Sequence, residues 1–157
     1  MKLSTNSEPE TEALGERLAR LLEPGAVVGL VGPLGAGKTA LVRGIARGFG
    51  VEEGMVHSPT FLSATEYAGR VPIAHVDLYR HEENLPHPDW LAEILDGEKV
   101  AVVEWYERLG ASAPDDVLRI DVGYGSAADA RVLELSASGP RARRVLDALG
   151  TQRGVAA

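Results

Sequence analysis

Apolar positions along the chain change between helical and extended spacing, and these changes predict the order of its elements. Leucines within residues 14–22 form one helical face, which follows a capping-box pattern at residues 7–10 and ends at Pro24-Gly25. A continuous apolar run at 26–31 predicts a buried strand, and the apolar residues of 39–49 return to helical spacing. The N-terminal part therefore predicts the order helix, strand, helix.

The middle of the chain predicts a hairpin. Residues 61–67 and 71–79 are strand-like runs, and the short connection between them contains Gly69. Because the hairpin adds an antiparallel strand beside parallel ones, we predict a mixed sheet. The remaining predicted elements are a short helix (89–95), an apolar central strand (100–103), two alternating strands (118–122 and 133–135) and a last helix (140–150).

Composition limits the class of protein. The chain has 157 residues, which suits a single domain spanning 1–157, with frayed ends expected at 1–6 and 151–157. Its net charge of −7 argues against a broad electrostatic grip on nucleic acid. It has no cysteine, so disulfide partners and thiolate chemistry are excluded. A polar N-terminus and the lack of a long apolar run predict no signal peptide and no membrane segment, and hence a cytoplasmic protein.

The stretch G-P-L-G-A-G-K-T at residues 32–39 fits the phosphate-binding loop G-x-x-x-x-G-K-[ST] at every fixed position. Its flanks, a strand before and a helix after, are the context that this loop requires, which disfavours an accidental glycine-rich turn. The glycines let main-chain N–H groups approach phosphate oxygens, and the helix N-terminus adds partial positive charge. These features predict a P-loop NTPase-like, three-layer α/β fold with a mixed central sheet.

A nucleoside triphosphate with Mg²⁺ is the expected ligand. Lys38 supplies a charge to the β- and γ-phosphates, and the Thr39 hydroxyl can ligate Mg²⁺. No N-K-x-D guanine-reading motif is present, so ATP and its product ADP are favoured over guanine nucleotides. The residues expected to contact nucleotide are Gly32, Leu34, Gly35, Ala36, Gly37, Lys38, Thr39, Ala40 and Thr60.

Two carboxylates end apolar strands, Asp77 after 71–76 and Glu104 after 100–103. Ligands of open α/β sheets bind at the carboxyl ends of strands, so these acids can hold a metal or act on the attacking water. The alternative is that they cap strand ends at the surface, and spacing does not decide which acid has which role. Thr60, in S-P-T-F at 58–61, is either a γ-phosphate sensor or part of a plain turn.

Four motifs together resemble the bacterial TsaE family, small ATPases of tRNA threonylcarbamoyladenosine biosynthesis. They are the loop at 32–39, S-P-T-F at 58–61, H-V-D-L-Y-R at 75–80 and V-E-W at 103–105, in matching order. The chain departs from the family pattern at Pro33, Ala40 and Tyr106, and none of these departures removes a charged or ligating group of the predicted site.

The resemblance implies a catalytic trio of Lys38, Asp77 and Glu104. Asp77 would act on water or metal, and Glu104 would join Thr39 as a metal ligand. Trp105 would be a nucleotide-binding residue close to the nucleotide; the alternative is a core aromatic residue after a buried strand. It also implies a TsaB–TsaD complex as partner, with tRNA met through that complex. Mg-dependent ATP hydrolysis, slow alone and stimulated by the partner, would then reset the complex after threonylcarbamoyl transfer to adenosine 37.

Other interpretations stay open at this level. Arg80 and Arg108 are either arginine fingers or structural ion-pair partners, and His75 and His81 are more simply hydrogen-bonded histidines than metal ligands. A small-molecule kinase needs a phosphate-closing lid, but the stretch 81–98 is acidic and has no arginine. A nucleotide-binding scaffold without hydrolysis is the third possibility.

Overall fold

The computed structural model describes residues 1–57, 64–80 and 89–155. Its strands are β1 (Lys2–Thr5), β2 (Val27–Val31), β3 (Ala64–Tyr67), β4 (Ile73–Asp77), β5 (Val100–Glu104), β6 (Val117–Tyr124) and β7 (Arg131–Ser138). Its helices are α1 (Glu8–Ala19), α2 (Lys38–Gly48), α3 (Asp89–Ile94) and α4 (Pro140–Val155), with a 3₁₀ segment at Tyr106–Ser112.

The strands of the described residues form one seven-stranded sheet in the order β1-β7-β6-β2-β5-β4-β3. β2 is parallel to β5 and β6, and β5 is parallel to β4. The pairs β3–β4, β6–β7 and β1–β7 are antiparallel. The predicted mixed sheet and the hairpin are therefore confirmed, and β2 occupies the sheet centre, where both neighbours run in its own direction.

Helices cover both faces of the sheet, which confirms the predicted three-layer fold. One core lies between the sheet and α1, α2 and α4, where Leu18, Ile45 and Leu149 are fully buried. The second lies under α3 and the 3₁₀ segment, where Leu91 and Leu109 are buried. Because both faces are covered, the central strands are apolar on both sides instead of alternating.

The chain ends differ from the sequence-based expectation of frayed residues. β1 pairs with β7, and the Met1 amino group donates to the Leu135 carbonyl at 2.8 Å. Thr5 is buried and its hydroxyl lies 2.7 Å from that of Thr11 in α1. Residues 151–155 continue α4, with the Thr151 hydroxyl donating to the Asp147 carbonyl. Long-range pairing orders the N-terminal end, and a four-residue pattern holds too few positions to reveal it.

The capping box before α1 is present in altered form. The Ser7 hydroxyl accepts from the Glu10 N–H at 3.3 Å, as predicted. The Glu10 carboxylate reaches back to the N–H of Asn6, at 2.7 Å, instead of that of Ser7. Both ends of the box still satisfy main-chain donors that the helix itself leaves unpaired.

Glycines let α1 approach α2 closely. A methyl group on Gly44 would overlap the main chain of Glu12, and one on Gly15 would meet the Leu41 carbonyl oxygen at 2.5 Å. The close approach fixes α2 against α1, and Arg43 and Arg47 add ion pairs to acidic residues of α1. The helix that carries the phosphate-binding loop is thus fixed by backbone contact.

We expect Gly44→Ala to lower the free energy of unfolding by about 1–3 kcal/mol, because the added methyl group forces the two helices apart. The measurement is urea unfolding followed by circular dichroism. Gly123→Ala is the matched control, since its added methyl group would meet only the Val132 carbonyl oxygen, at 3.9 Å. Equal stability of Gly44→Ala and the control would contradict close helix packing.

Candidate nucleotide site

The phosphate-binding loop connects the end of β2 to the start of α2. Gly37 stands immediately before the helix in the left-handed conformation, with φ of 100°, and Gly35 has φ of 76°. A side chain is strained at such angles, so glycine is required for this turn into the helix. The loop and the first N–H groups of α2 together provide donors and a partial positive charge for an anion.

Lys38 is the first residue of α2 and is 5% exposed. Its Nζ donates to the carbonyls of Gly32 and Pro33, the latter at 3.0 Å, and it lies 4.3 Å from the Trp105 ring centroid. Burial lowers the pKa of Lys38, while the carboxylates of Glu104, Glu107 and Asp77 oppose that change. The ammonium group is therefore held in the loop and within the field of the strand-end acids.

Asp77 and Glu104 are direct partners on neighbouring parallel strands. Asp77 ends β4, Glu104 ends β5, and the two pair in register, while Glu104 also pairs with Leu30 of β2. Burial raises the pKa of Asp77 and the charge of Glu104 adds to the rise. The Tyr79 N–H opposes it by donating to Asp77 Oδ1 at 2.9 Å. The predicted acids thus lie together at the same sheet edge as the loop.

Glu104 is not a surface cap, because it is 3% exposed and belongs to a buried hydrogen-bond chain. Its Oε2 lies 2.6 Å from Nε2 of His75, which is fully buried. Nδ1 of His75 lies 3.1 Å from the oxygen of the Tyr67 hydroxyl, and the hydrogen of that hydroxyl is donated to the carbonyl of His57. These linked hydrogen bonds hold one carboxylate oxygen of Glu104 in place. His75 is hydrogen-bonded, as the simpler interpretation of this residue predicted.

Trp105 follows β5 with φ of 58°, and no other non-glycine residue in the described ranges has a positive φ. This conformation costs about 1–3 kcal/mol and persists only where surrounding contacts enforce it. Those contacts include Lys38, the Tyr79 ring at 5.1 Å and the Arg108 guanidinium at 5.1 Å, measured to ring centroids. The strained backbone places the indole ring beside the loop lysine.

Most of the other predicted residues also lie along this edge. Thr39 is half-buried as the second residue of α2, Ala36 and Ala40 are buried, and Leu34 is exposed. Arg108 donates to the carbonyls of Leu78 and Tyr79. The predictions for Thr60 and for the segment 58–61 fall outside the described residues, as does His81.

Two groups at the site went unrecognised in the sequence. The first is the pair Tyr67 and His75 behind Glu104. The second is the pair Tyr124 and Arg131, which bind carbonyls of the phosphate-binding loop. The sequence placed His75 on the predicted strand 71–79, but nothing local shows that its ring meets Glu104. Tyr124 and Arg131 carry no local signal either, because their partners lie at the other end of the chain.

The donor set suits a magnesium nucleotide. The Thr39 hydroxyl and the Glu104 and Asp77 carboxylates are the hard oxygen ligands that Mg²⁺ accepts, and phosphate and water supply the rest. The described residues hold no cluster of three or more His, Cys, Asp or Glu side chains arranged for a metal.

Among the described residues, every helix is too short or too polar to cross a lipid bilayer.

Comparisons with known proteins point to one family. A family model described as "Threonylcarbamoyl adenosine biosynthesis protein TsaE" matches residues 5–132. The chain is 38% identical over 123 residues to the tRNA threonylcarbamoyladenosine biosynthesis protein TsaE of Treponema pallidum, covering 78% of this chain and 90% of that protein. Identity to the protein of the same name from Streptomyces coelicolor is 43% over 122 residues, covering 74% and 82%.

A solved structure has the same architecture over nearly the whole chain. The crystal structure of YdiB from Bacillus subtilis superimposes with a TM-score of 0.81 at 30% sequence identity. The match covers 98% of this chain and 95% of that one.

The raised pKa of Asp77 gives a prediction for stability. Because the folded pKa lies above the unfolded one, the charged form destabilises the fold, and this cost disappears as the pH falls below the usual carboxyl range. Asp77→Asn removes the charge and keeps the oxygen that accepts from Tyr79. We expect it to raise the melting temperature at about pH 7 and to give no gain at about pH 3.

Asp96→Asn is the control with the opposite sign. A hydrogen bond from Lys99 lowers the pKa of Asp96, so its charge supports the fold above the usual carboxyl range. At about pH 7 we expect this variant to melt at or slightly below the temperature of the unmodified chain. A fall in melting temperature for Asp77→Asn would show that its charge is not held at a cost.

Proposed function

Because this chain belongs to the TsaE family, which acts in tRNA threonylcarbamoyladenosine biosynthesis, we propose that it hydrolyses ATP to ADP and phosphate in support of that modification. The observation that carries the proposal is the meeting of a phosphate-binding loop with two in-register carboxylates at one sheet edge. A phosphate loop alone supports binding. The acids beside it add the groups that hydrolysis requires.

Each residue has a role in this proposal. Main-chain N–H groups of the loop and the Lys38 ammonium bind the β- and γ-phosphates. Thr39 and Glu104 would hold Mg²⁺, which when bound neutralises phosphate charge. The hydrogen bond from His75 keeps one oxygen of Glu104 fixed, so the carboxylate is oriented before the ligand arrives.

Asp77 is the proposed group that acts on water. Its Oδ1 is fixed by the Tyr79 N–H, and its raised pKa makes it a better proton acceptor than an ordinary surface aspartate. It orients a water molecule and takes its proton as the oxygen attacks the γ-phosphorus and the bond to ADP breaks. Trp105, next to Lys38, limits the entry of other water from that side.

The partner in this proposal is the TsaB–TsaD complex, and the cytoplasm is the compartment. Arg108 is engaged with the carbonyls of Leu78 and Tyr79 and with the Trp105 ring, which favours a structural role over transition-state contact. We therefore expect slow hydrolysis by the chain alone and faster hydrolysis with the partner. Hydrolysis would reset the complex, which meets tRNA directly.

Phosphate release tests the proposal, measured for the unmodified chain, Glu104→Gln and Asp77→Asn, each with and without TsaB and TsaD. We expect both variants to keep Mg-ATP binding and to lose at least about 100-fold in hydrolysis, because each removes a group acting on metal or water. Reconstituted tRNA modification should fall in parallel. Glu66→Gln, an exposed strand glutamate paired with Lys99, is the control and should hydrolyse normally.

The outcomes separate the rival functions. Unchanged turnover in both acid variants would remove Asp77 and Glu104 from the reaction. No phosphate release by the unmodified chain, even with its partners, would favour a nucleotide-binding scaffold. Transfer of labelled phosphate from ATP to an added metabolite would favour a kinase.

A further inference from the structure

The geometry points to Arg131 and Tyr124 as positioning residues that shape the phosphate-binding loop from behind. This inference rests on the proposed nucleotide site and adds two residues to it. Both come from the β6–β7 hairpin, which is far from the loop in sequence. They contact loop carbonyls, and through those carbonyls they set the direction of the N–H groups that receive phosphate.

Three consecutive loop carbonyls accept hydrogen bonds from the two side chains. The Tyr124 hydroxyl donates to the Leu34 carbonyl at 2.7 Å. Arg131 Nε donates to the Ala36 carbonyl at 2.8 Å, and its Nη2 donates to the Gly35 carbonyl at 3.4 Å. The hairpin therefore binds the carbonyl of each of the three peptide groups between Leu34 and Gly37.

Because of peptide geometry, the hydrogen bonds to these carbonyls also set the direction of the loop N–H groups. In a planar trans peptide the C=O of one residue points opposite to the N–H of the next. Holding the carbonyls of Leu34 and Ala36 outward therefore directs the N–H groups of Gly35 and Gly37 the other way. The intervening Ala36 N–H donates within the loop, to the Pro33 carbonyl at 3.2 Å.

Glycine makes the loop dependent on such support. Gly35 and Gly37 both have positive φ, in a part of conformational space that other residues resist, and glycine itself has many alternatives to it. A loop free to rotate its peptides would lose entropy each time it bound phosphate. Hydrogen bonds from the β6–β7 strand pair order the loop when the protein folds, before any phosphate binds.

The hairpin itself is well fixed. Arg131 Nη1 donates to the carbonyls of Ala128 and Ala130, both at 2.8 Å, so the guanidinium spans the hairpin turn and the loop. Tyr124 and Arg131 are in-register partners, and the guanidinium lies 5.1 Å from the Tyr124 ring centroid. All three guanidinium nitrogens donate to main-chain carbonyls, which distinguishes Arg131 from an arginine that reaches for phosphate.

The test uses Arg131→Lys, which keeps the charge and loses the planar fork, and Tyr124→Phe, which loses only the hydroxyl. Arg143→Lys is the matched control, because Arg143 also donates to a carbonyl, that of Ala137, but lies on α4. Calorimetry measures the Kd for Mg-ADP and for pyrophosphate. Amide ¹H–¹⁵N spectra without nucleotide report on Gly35 and Gly37, and melting temperatures confirm that each variant folds.

We expect Arg131→Lys to raise the Kd for Mg-ADP and the Kd for pyrophosphate by a similar factor, about ten-fold. Tyr124→Phe should raise both by about three-fold. In both variants the amide signals of Gly35 and Gly37 shift before any ligand is added. KM for ATP rises by more than kcat falls, because the substitutions alter the loop N–H groups that receive phosphate and leave Asp77 and Glu104 unchanged. Arg143→Lys matches the unmodified chain in all these measurements.

Two results would overturn the inference while leaving the proposed function intact. One is unmodified affinity in both Arg131→Lys and Tyr124→Phe. The other is weaker binding with unmoved glycine amides, which would mean that Arg131 touches the ligand directly. Failure of the unmodified chain to bind either probe would instead overturn the proposed function, and this inference with it.

Discussion

The parallel pairing of β5 with both β2 and β4 is the constraint on which the site depends. Because the three strands run the same way in fixed register, their carboxyl ends reach one edge. Glu104 is therefore adjacent to Leu30, near the start of the loop, and to Asp77 on its other side. A shift of one residue in either pairing would turn an acid to the opposite face. The fold sets the spacing of loop and acids before any ligand binds.

The site places charged groups where a stable fold would avoid them. Glu104 and Lys38 are buried, burial raises the pKa of Asp77, and Trp105 has a strained backbone. Each is held by neighbours: His75 bonds to Glu104, and the Trp105 ring packs over Lys38. Buried charges with fixed partners contribute little to the stability of the fold, but they orient the site before a ligand binds. Strain and burial therefore coincide with the residues proposed to act on nucleotide.

Local sequence patterns predicted the features that depend on residues close to one another in the sequence. The loop, the hairpin, the central strand and both strand-end acids follow from short motifs and apolar runs, and the combination of motifs predicted the family, which is confirmed. The sequence did not reveal β1, since its pairing with β7 is long-range. Nor did it reveal the bond from Arg131 to Ala36, which joins residues 95 positions apart. Such contacts depend on strand order, which a single sequence does not specify.

In the proposed site, the buried Lys38 and the main-chain amides at the head of α2 bind the triphosphate. Titration calorimetry of Mg-ATP with Lys38→Met measures the contribution of the lysine, with Lys99→Met as control, because Lys99 is paired with Asp96. We expect at least about 100-fold weaker binding for Lys38→Met and the affinity of the unmodified chain for the control. Equal Mg-ATP affinity of Lys38→Met and the unmodified chain would show that the lysine does not bind the triphosphate.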